Sequence, residues 1–542
     1  MPKILTCAAD TTWLLGTPSI LPINEDLPNS TASEESHSWA VDQLRCCTTS
    51  HTACNAYASA PLPTRVIDTG GNRVQLHISS GEIERYICLS HCWKKFPMIK
   101  TLTSNIEAHK SEITWQQLPK TFQNAISFTR KLGIRYLWID SLCIVQDDTL
   151  DWRIESATMG SIYQSALLTI MATKSEDGSG GLYANLPETH QTRTLNITIQ
   201  PTSQEPNPRE QTIHARLEPK HFLDAKAHAT PAMLRGWILQ ERLLSMRVLH
   251  FGAEEPSWEC CETSACQCLF SHDMSFAAKQ LTHNMTVWKS MDLPELEASW
   301  QKLVEEYCRL ELSEHKDIFP AISGMVRQFQ TVRKSEYVAG MWRDNLLHDL
   351  LWATEGTLES TPGRPRYKGD GAMATPWRAP SWSWASSRAG RGNGVRYYHH
   401  GRPRIIHIGD KLDGSRCRVV DVRCEPVGSD PMGELVENKN YLVLCGSVIP
   451  ATISINTVRL VSDDHREKIE VTLNFHDDGK GGIHYYPDHD YHFQQLQPTV
   501  QNTSPALKPI ALLKNSDARV YCLEMGWSGD DFVYLVLRRV TD

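Results

Sequence analysis

The fold is decided by residues 118–173, LPKTFQNAISFTRKLGIRYLWIDSLCIVQDDTLDWRIESATMGSIYQSALLTIMAT. After Pro119, the residues Phe122, Ala125, Ile126, Thr129 and Leu132 recur at helical spacing until Gly133. Pro near the start and Gly just past the end is the usual asymmetry of a helix. Arg135–Asp140 (RYLWID) is then an apolar run of strand length. An acidic loop follows, Trp152 to Tyr163 reads as a second helix, and Leu167–Ala172 (LLTIMA) is another apolar strand. Strands that are apolar throughout, rather than alternating, are buried on both faces. That pattern predicts a mainly parallel sheet flanked by helices, an α/β fold.

Working outward, Arg85–Ser90 (RYICLS) is a further buried-type strand, and Arg65–Asp68 with Arg73–Ile78 predicts a hairpin across Gly70–Gly71. Downstream, residues 175–181 and 200–210 read as polar loops, and Trp237–Leu244 as a short helix leading into the strand Arg247–Phe251. The α/β domain is thus expected over residues 65–255, preceded by a Ser-, Thr- and Pro-rich irregular segment, 1–64. A helical extension with the aromatic loop PSWSWAS is expected over 256–395, and a β-rich domain over 396–542.

Composition narrows the function classes. Of 542 residues, 41% are hydrophobic and 22% charged, an ordinary globular balance, and the formal net charge is −8. With no long basic run, a nucleic-acid partner is not expected. The N-terminus does not read as a secretory signal, and no apolar run is long enough to span a membrane, so the expected location is cytoplasmic. The sixteen cysteines, some adjacent and some inside apolar runs, read as reduced thiols. Two Cys/His groups stand out: Cys46, Cys47, His51 and Cys54, and Cys260, Cys261, Cys266 and Cys268. Neither shows the paired two-residue spacing of a zinc finger, so no metal is assigned to either. No Walker loop, dinucleotide-binding glycine fingerprint, serine-hydrolase elbow or kinase motif is present.

In an open parallel sheet, ligands sit beyond the carboxyl ends of the strands. Those ends carry Ser90, His91 and Trp93 after one strand, and Asp140, Ser141 and Cys143 after the next. His91 reads either as a general base or as a hydrogen-bonded core histidine, and Asp140 either as a site carboxylate or as a cap. Glu155 lies about a turn into the following helix, whose positive end favours an ionised carboxylate. Its bland reading is an ion pair with a nearby Arg. Arg235, Gln240, Glu241 and Arg242 are polar residues around one short helix. They suit either ligand contact or a buried ion pair tying that block to the sheet.

Several blocks resemble the heterokaryon incompatibility family of filamentous fungi: YICLSHCW (86–93), the stretch 118–173, and RGWILQERLLSMRVLHF (235–251). AISGM (321–325), YVAGMW (337–342), LLHDLLW (346–352) and WRAPSWSWAS (377–386) resemble the tail of full-length members, so the likeness spans roughly residues 60–390. The resemblance implies a role in self/non-self recognition, as an effector of programmed cell death. It also implies a protein partner in incompatibility signalling, and self-association. The domain resembles, remotely, the Toll/interleukin-receptor fold, several members of which cleave NAD. That analogy implies NAD as a substrate rather than a firmly held cofactor, with Glu155 catalytic and Trp152 just before it, as Trp precedes Glu there. Two other readings stay open: a non-catalytic interaction or regulatory protein, and a secondary-metabolite enzyme on the same scaffold.

Overall fold

In a computed structural model, the apolar runs between residues 65 and 266 pair into one eight-stranded mixed sheet. The structure describes residues 4–8, 28–55, 60–93, 98–191, 193–199, 209–217, 230–267, 285–355, 377–387, 394–397, 406–408, 417–445, 448–463, 466–476, 518–528 and 531–537. The strands are β1 (Arg65–Asp68), β2 (Gln75–Ile78), β3 (Tyr86–Ser90), β4 (Tyr136–Trp138), β5 (Leu168–Met171), β6 (Arg247–Phe251), β7 (Pro256–Cys260) and β8 (Ser264–Cys266). Their order across the sheet is β8-β7-β6-β5-β3-β4-β1-β2. The four central strands, β6, β5, β3 and β4, run parallel, and an antiparallel pair closes each edge.

The expected α/β architecture is therefore present, with β3 at its centre. The chain leaves β3 for β4 on one side and returns to β5 on the other, so the strand order reverses at β3. Ile87, Leu89, Leu137, Trp138 and Ile170 are fully buried, as strands covered on both faces must be. Each such side chain contributes about 1.5–3 kcal/mol over its exposed state.

Four helices matter for the site and its surroundings: α1 (Glu34–Ser50), α2 (Lys120–Lys131), α3 (Thr149–Ser165) and α4 (Ile238–Leu243). In α2, Phe122, Ala125, Ile126 and Thr129 face the core, and Gly133 takes a positive φ of 70° just past its end. The helix α3 starts earlier than the apolar pattern predicts. Asp148 caps it by accepting hydrogen bonds from the backbone N–H groups of Leu150 and Asp151.

Two expected boundaries need correction. The segment before residue 65 is not irregular throughout, because α1 occupies seventeen residues of it. Ser33 caps α1, Glu34 and Glu35 suit its positive end, and Ala40 and Cys47 enter the core with Trp39 and Leu44 packed beside them. Nor does the sheet stop at residue 255, since the hairpin β7–β8 continues it to Cys266. Strands Ile4–Ala8, Arg193–Ile199 and Arg209–Leu217 form a separate antiparallel sheet.

The chain divides into two compact units, Met1–Ser290 and Met291–Asp542. The second opens on helix Leu293–Cys308, capped reciprocally by Asp292 and Glu295, and continues in helix Pro320–Arg333. The PSWSWAS loop packs inward, as Trp384 is fully buried and donates to the carbonyl of Gly340 at 2.8 Å. Gly340 has φ of 95°, and a Cβ there would meet the Trp384 ring at 2.5 Å, so only glycine fits. Beyond residue 405 the described residues are strands and turns, including a five-stranded sheet ordered around Val448–Asp463 and Ala518–Ser528.

Candidate functional site

The register that pairs Ile87 with Leu137 and Ser90 with Met171 brings the carboxyl ends of β3, β4 and β5 level. The residues that follow β3 and β4 then meet. Trp93 donates its indole N–H to Asp140 Oδ2 at 3.0 Å, and the backbone N–H of Ser141 donates to Asp140 Oδ1 at 2.7 Å. His91 Nδ1 stands 3.7 Å from Asp140 Oδ1, beyond hydrogen-bond range. Asp140 itself opens a one-turn helix, Asp140–Cys143, directly off the strand.

The block before and within α4 completes the cluster. Arg235 and Glu241 pair through two contacts, 3.1 and 3.3 Å, and Ser90 Oγ donates to the same carboxylate at 2.5 Å. Glu241 is thus held both by its own block and by the end of β3. A carboxylate 1% exposed needs such partners, because an unpaired buried charge is strongly disfavoured.

The electrostatics follow from burial. Burial, and then the charge of Arg235, hold His91 down to about 3, so its ring is neutral. Burial pushes Asp140 up to about 6, against the opposing effects of Arg235, the Ser141 N–H and Trp93. The ring of His91 makes no well-formed hydrogen bond, only a weak approach to the Leu89 backbone, and Ser141 Oγ has no partner, although both residues are buried. Most buried polar atoms are paired, so under-satisfied atoms gathered at one strand end single this cluster out as the candidate site. Two of the cysteines nearby, Cys143 and Cys88, are poor nucleophiles. Burial pushes Cys143 up to about 12 and raises Cys88 well above the usual thiol value.

Glu155 sits elsewhere in the unit's bonding. Its carboxylate lies 3.3 Å from Arg65, whose guanidinium also makes two contacts to Asp151 and donates Nε–H to the Cys143 carbonyl at 2.6 Å. Asp151 in turn accepts from the Val145 N–H. This network ties β1 to α3 and the turn after β4. It makes Glu155 a buried ion-pair member, not a solvated one, and burial raises its pKa despite Arg65. Glu155→Gln is expected to cost about 1–3 kcal/mol in stability, the range for one lost buried polar partner, and to leave turnover unchanged. A fall in turnover at equal melting temperature would return Glu155 to the catalytic role.

The remaining candidates are placed as follows. Trp152 is half-buried and meets Trp237 edge-on at 6.4 Å. Gln240 is fully buried. Arg242 faces the other side of its helix, where it binds Glu259 of β7 through two bonds of 2.7 and 2.8 Å. Glu259 also meets His250 Nε2 at 2.5 Å, and His250 Nδ1 meets Thr173 Oγ1 at 3.1 Å. Sequence reading missed Glu259 and His250, which show no motif; only their places on adjacent strands unite them. A groove of about 1150 Å³ lined by Asp68, Gly70, Arg130 and Arg135 lies at the other end of β4, away from this cluster. Arg135 there is engaged by Asp68 and Arg130 by backbone carbonyls.

The two Cys/His groups are not separate. Cys47, His51 and Cys54 of the first meet Cys260 of the second, while Cys268 lies outside the described residues. The described cysteines are free thiols, and among the described residues no helix is long and apolar enough to cross a membrane.

Acid should act on this cluster through His91. An unfolded histidine titrates near 6.5, so between that value and about 3 the unfolded chain binds the extra proton and acid favours it. This group alone should remove about 2–3 kcal/mol between pH 7 and 4.5. Asp140 works oppositely, because a carboxyl raised to about 6 stabilises the fold below that pH and loses the effect above it. His91→Gln should therefore lose less stability than the parent on acidification, read by denaturant titration at the two pH values. Equal losses would mean that the ring is already solvated.

Residues 86–241 match a family model described as Heterokaryon incompatibility protein (HET). Searches of curated proteins and of solved structures return no match. The matched segment runs from the first residue of β3 into α4 and contains Ser90, His91, Trp93, Asp140, Ser141, Arg235 and Glu241, the whole strand-end cluster. The resemblance read from the sequence is shown over that segment.

Proposed function

We propose that the protein is a cytoplasmic effector of the heterokaryon-incompatibility type, whose α/β unit hydrolyses the N-glycosidic bond of NAD at the strand-end cluster. The observation that supports this most is the coincidence of two things. The family match ends on Glu241, and inside it the under-satisfied polar atoms of His91 and Ser141 lie beside a carboxyl group raised to about 6.

The chemistry suits these groups. In NAD the leaving nicotinamide departs as a neutral ring, so no acid is needed to release it. What needs help is the positive charge developing on the ribose carbon, which a carboxylate can stabilise, and the water that attacks it. Above pH 6, Asp140 is ionised and supplies both the negative charge and an acceptor for the water proton. The neutral ring of His91 offers one donor and one acceptor for ribose hydroxyls or water. Arg235, held by Glu241, balances the charge of the cluster.

A second reading, a non-catalytic interaction protein, draws support from Glu155, the carboxylate that the Toll-like analogy implies as catalytic, being committed to Arg65. Following nicotinamide release from NAD by the purified full-length protein separates the two. Absence of turnover by folded protein overturns the enzymatic reading.

A further inference from the structure

Four potential metal ligands converge on the edge of the first unit, away from the strand-end cluster. Cys47 lies in the last turn of α1, His51 just beyond it, and Cys54 in the short 3-10 turn Ala53–Asn55. Cys260 comes from the end of β7, more than two hundred residues later in the chain. The three sulfurs and one imidazole nitrogen all lie within 4.8 Å of one another, and Cys260 Sγ is 3.4 Å from His51 Nδ1. A tetrahedral zinc ion with bonds of about 2.3 Å to sulfur and 2.0 Å to nitrogen sets ligand atoms roughly 3.5–3.8 Å apart. The observed spacing reaches that geometry with small side-chain adjustments.

We propose that Cys47, His51, Cys54 and Cys260 bind one zinc ion as a closed Cys3His site that clamps α1 to the β7 edge of the sheet. Three thiolates and an imidazole form a soft donor set, which selects zinc over magnesium or calcium. Four protein ligands leave no open position, so the ion is structural and not catalytic.

The surroundings fit ligand sulfurs. Arg247 donates Nε–H to Cys47 Sγ at 3.1 Å, and the Thr263 backbone N–H donates to Cys260 Sγ at 3.3 Å. Such outer donors orient metal-bound thiolates. Arg247 also binds the Cys54 carbonyl at 2.9 Å and Asn55 at 2.6 Å, and Asn55 donates to the carbonyls of Thr48 and His51. The ligand loop is thus fixed from both sides.

The adjacent cysteines sharpen the inference. Cys46 is exposed and near Ser50, while Cys261 contacts the Met246 carbonyl and also Cys54, which places it beside the cluster as an outer neighbour. From the Cys46–Cys47 pair, one thiol turns into the cluster and its neighbour turns away. The site is independent of the NAD reading, so each can fail without the other.

The test is metal analysis of the full-length protein purified under reducing conditions. One zinc per chain is expected. Cys54→Ser and Cys260→Ser should lose at least nine-tenths of it, and Cys46→Ser should keep it. Should the ligand variants fail to fold, the parent protein stripped of metal and titrated with cobalt(II) still decides. Visible bands of tetrahedral cobalt–thiolate coordination, displaced by zinc, are expected. A folded, reduced parent that holds no zinc and gives no such bands overturns the site. So does a native disulfide among Cys47, Cys54 and Cys260, or loss of zinc from Cys46→Ser equal to that from Cys54→Ser.

Discussion

Glu241→Ala is expected to lower stability by about 3–5 kcal/mol, the cost of leaving one member of a buried ion pair alone. The reason lies in what remains. Arg235 keeps its charge with its side chain only 15% exposed, and the Ser90 hydroxyl loses its acceptor at the end of the central strand. For a unit of this size that loss is on the order of 10 °C in melting temperature. The pair itself is not thereby a large net stabiliser. Two charges taken out of water roughly offset their attraction, so Arg235→Met with Glu241→Leu should recover most of the loss. Thermal melts of the single and double variants check this. A single variant within 1 °C of the parent would show that water reaches the pair.

How much of this was legible in the sequence depends on how local each signal is. The helix α2 was readable because Phe122, Ala125, Ile126 and Thr129 repeat within one element, and the strands because RYICLS, RYLWID and LLTIMA are apolar throughout. The start of α3 was also written locally, in Asp148, but a cap is one residue and the apolar pattern outweighed it. The helix α1 was missed because Ser, Thr and Cys dilute its stripe of Trp39, Ala40, Leu44 and Cys47, even though Ser33 with Glu34 and Glu35 marks its start.

The site residues divide along the same line. Ser90, His91, Asp140 and Ser141 could be named because a parallel sheet dictates where its strand ends point. What each of them touches could not. Glu155 stands out by its place early in a helix and by the Toll-like analogy, and only the fold brings Arg65 from the antiparallel strand beside β4 to pair with it. Cys47 and Cys260 each read as half of an adjacent pair, and the spacing rules for zinc sites fail when one ligand arrives from a distant strand. Long-range pairing was the information missing in all three cases.

Asp140→Asn is the substitution expected to have the largest effect on activity, a loss of 10²-fold or more in nicotinamide release, comparable to removing other electrostatic catalytic groups. The change keeps the side-chain shape and one carbonyl acceptor, but the second oxygen becomes an NH2 donor, so either the Trp93 indole or the Ser141 N–H loses its acceptor. The charge is removed together with one hydrogen bond. The parent's rate should rise with pH through about 6, as the carboxyl ionises, and that rise should vanish from the residual rate of the variant. Stability should move the other way. A carboxyl raised to about 6 from an unfolded value near 3.9 weakens the fold at pH 7, where it must be charged while buried. Removing that charge relieves the fold, and the lost acceptor, about 1–3 kcal/mol, offsets it, so Asp140→Asn should melt close to the parent. Activity lost while stability holds is the signature of a group kept at a functional cost. Activity and melting temperature falling together would instead make Asp140 a structural anchor for Trp93. An unchanged rate would remove Asp140 from the chemistry altogether.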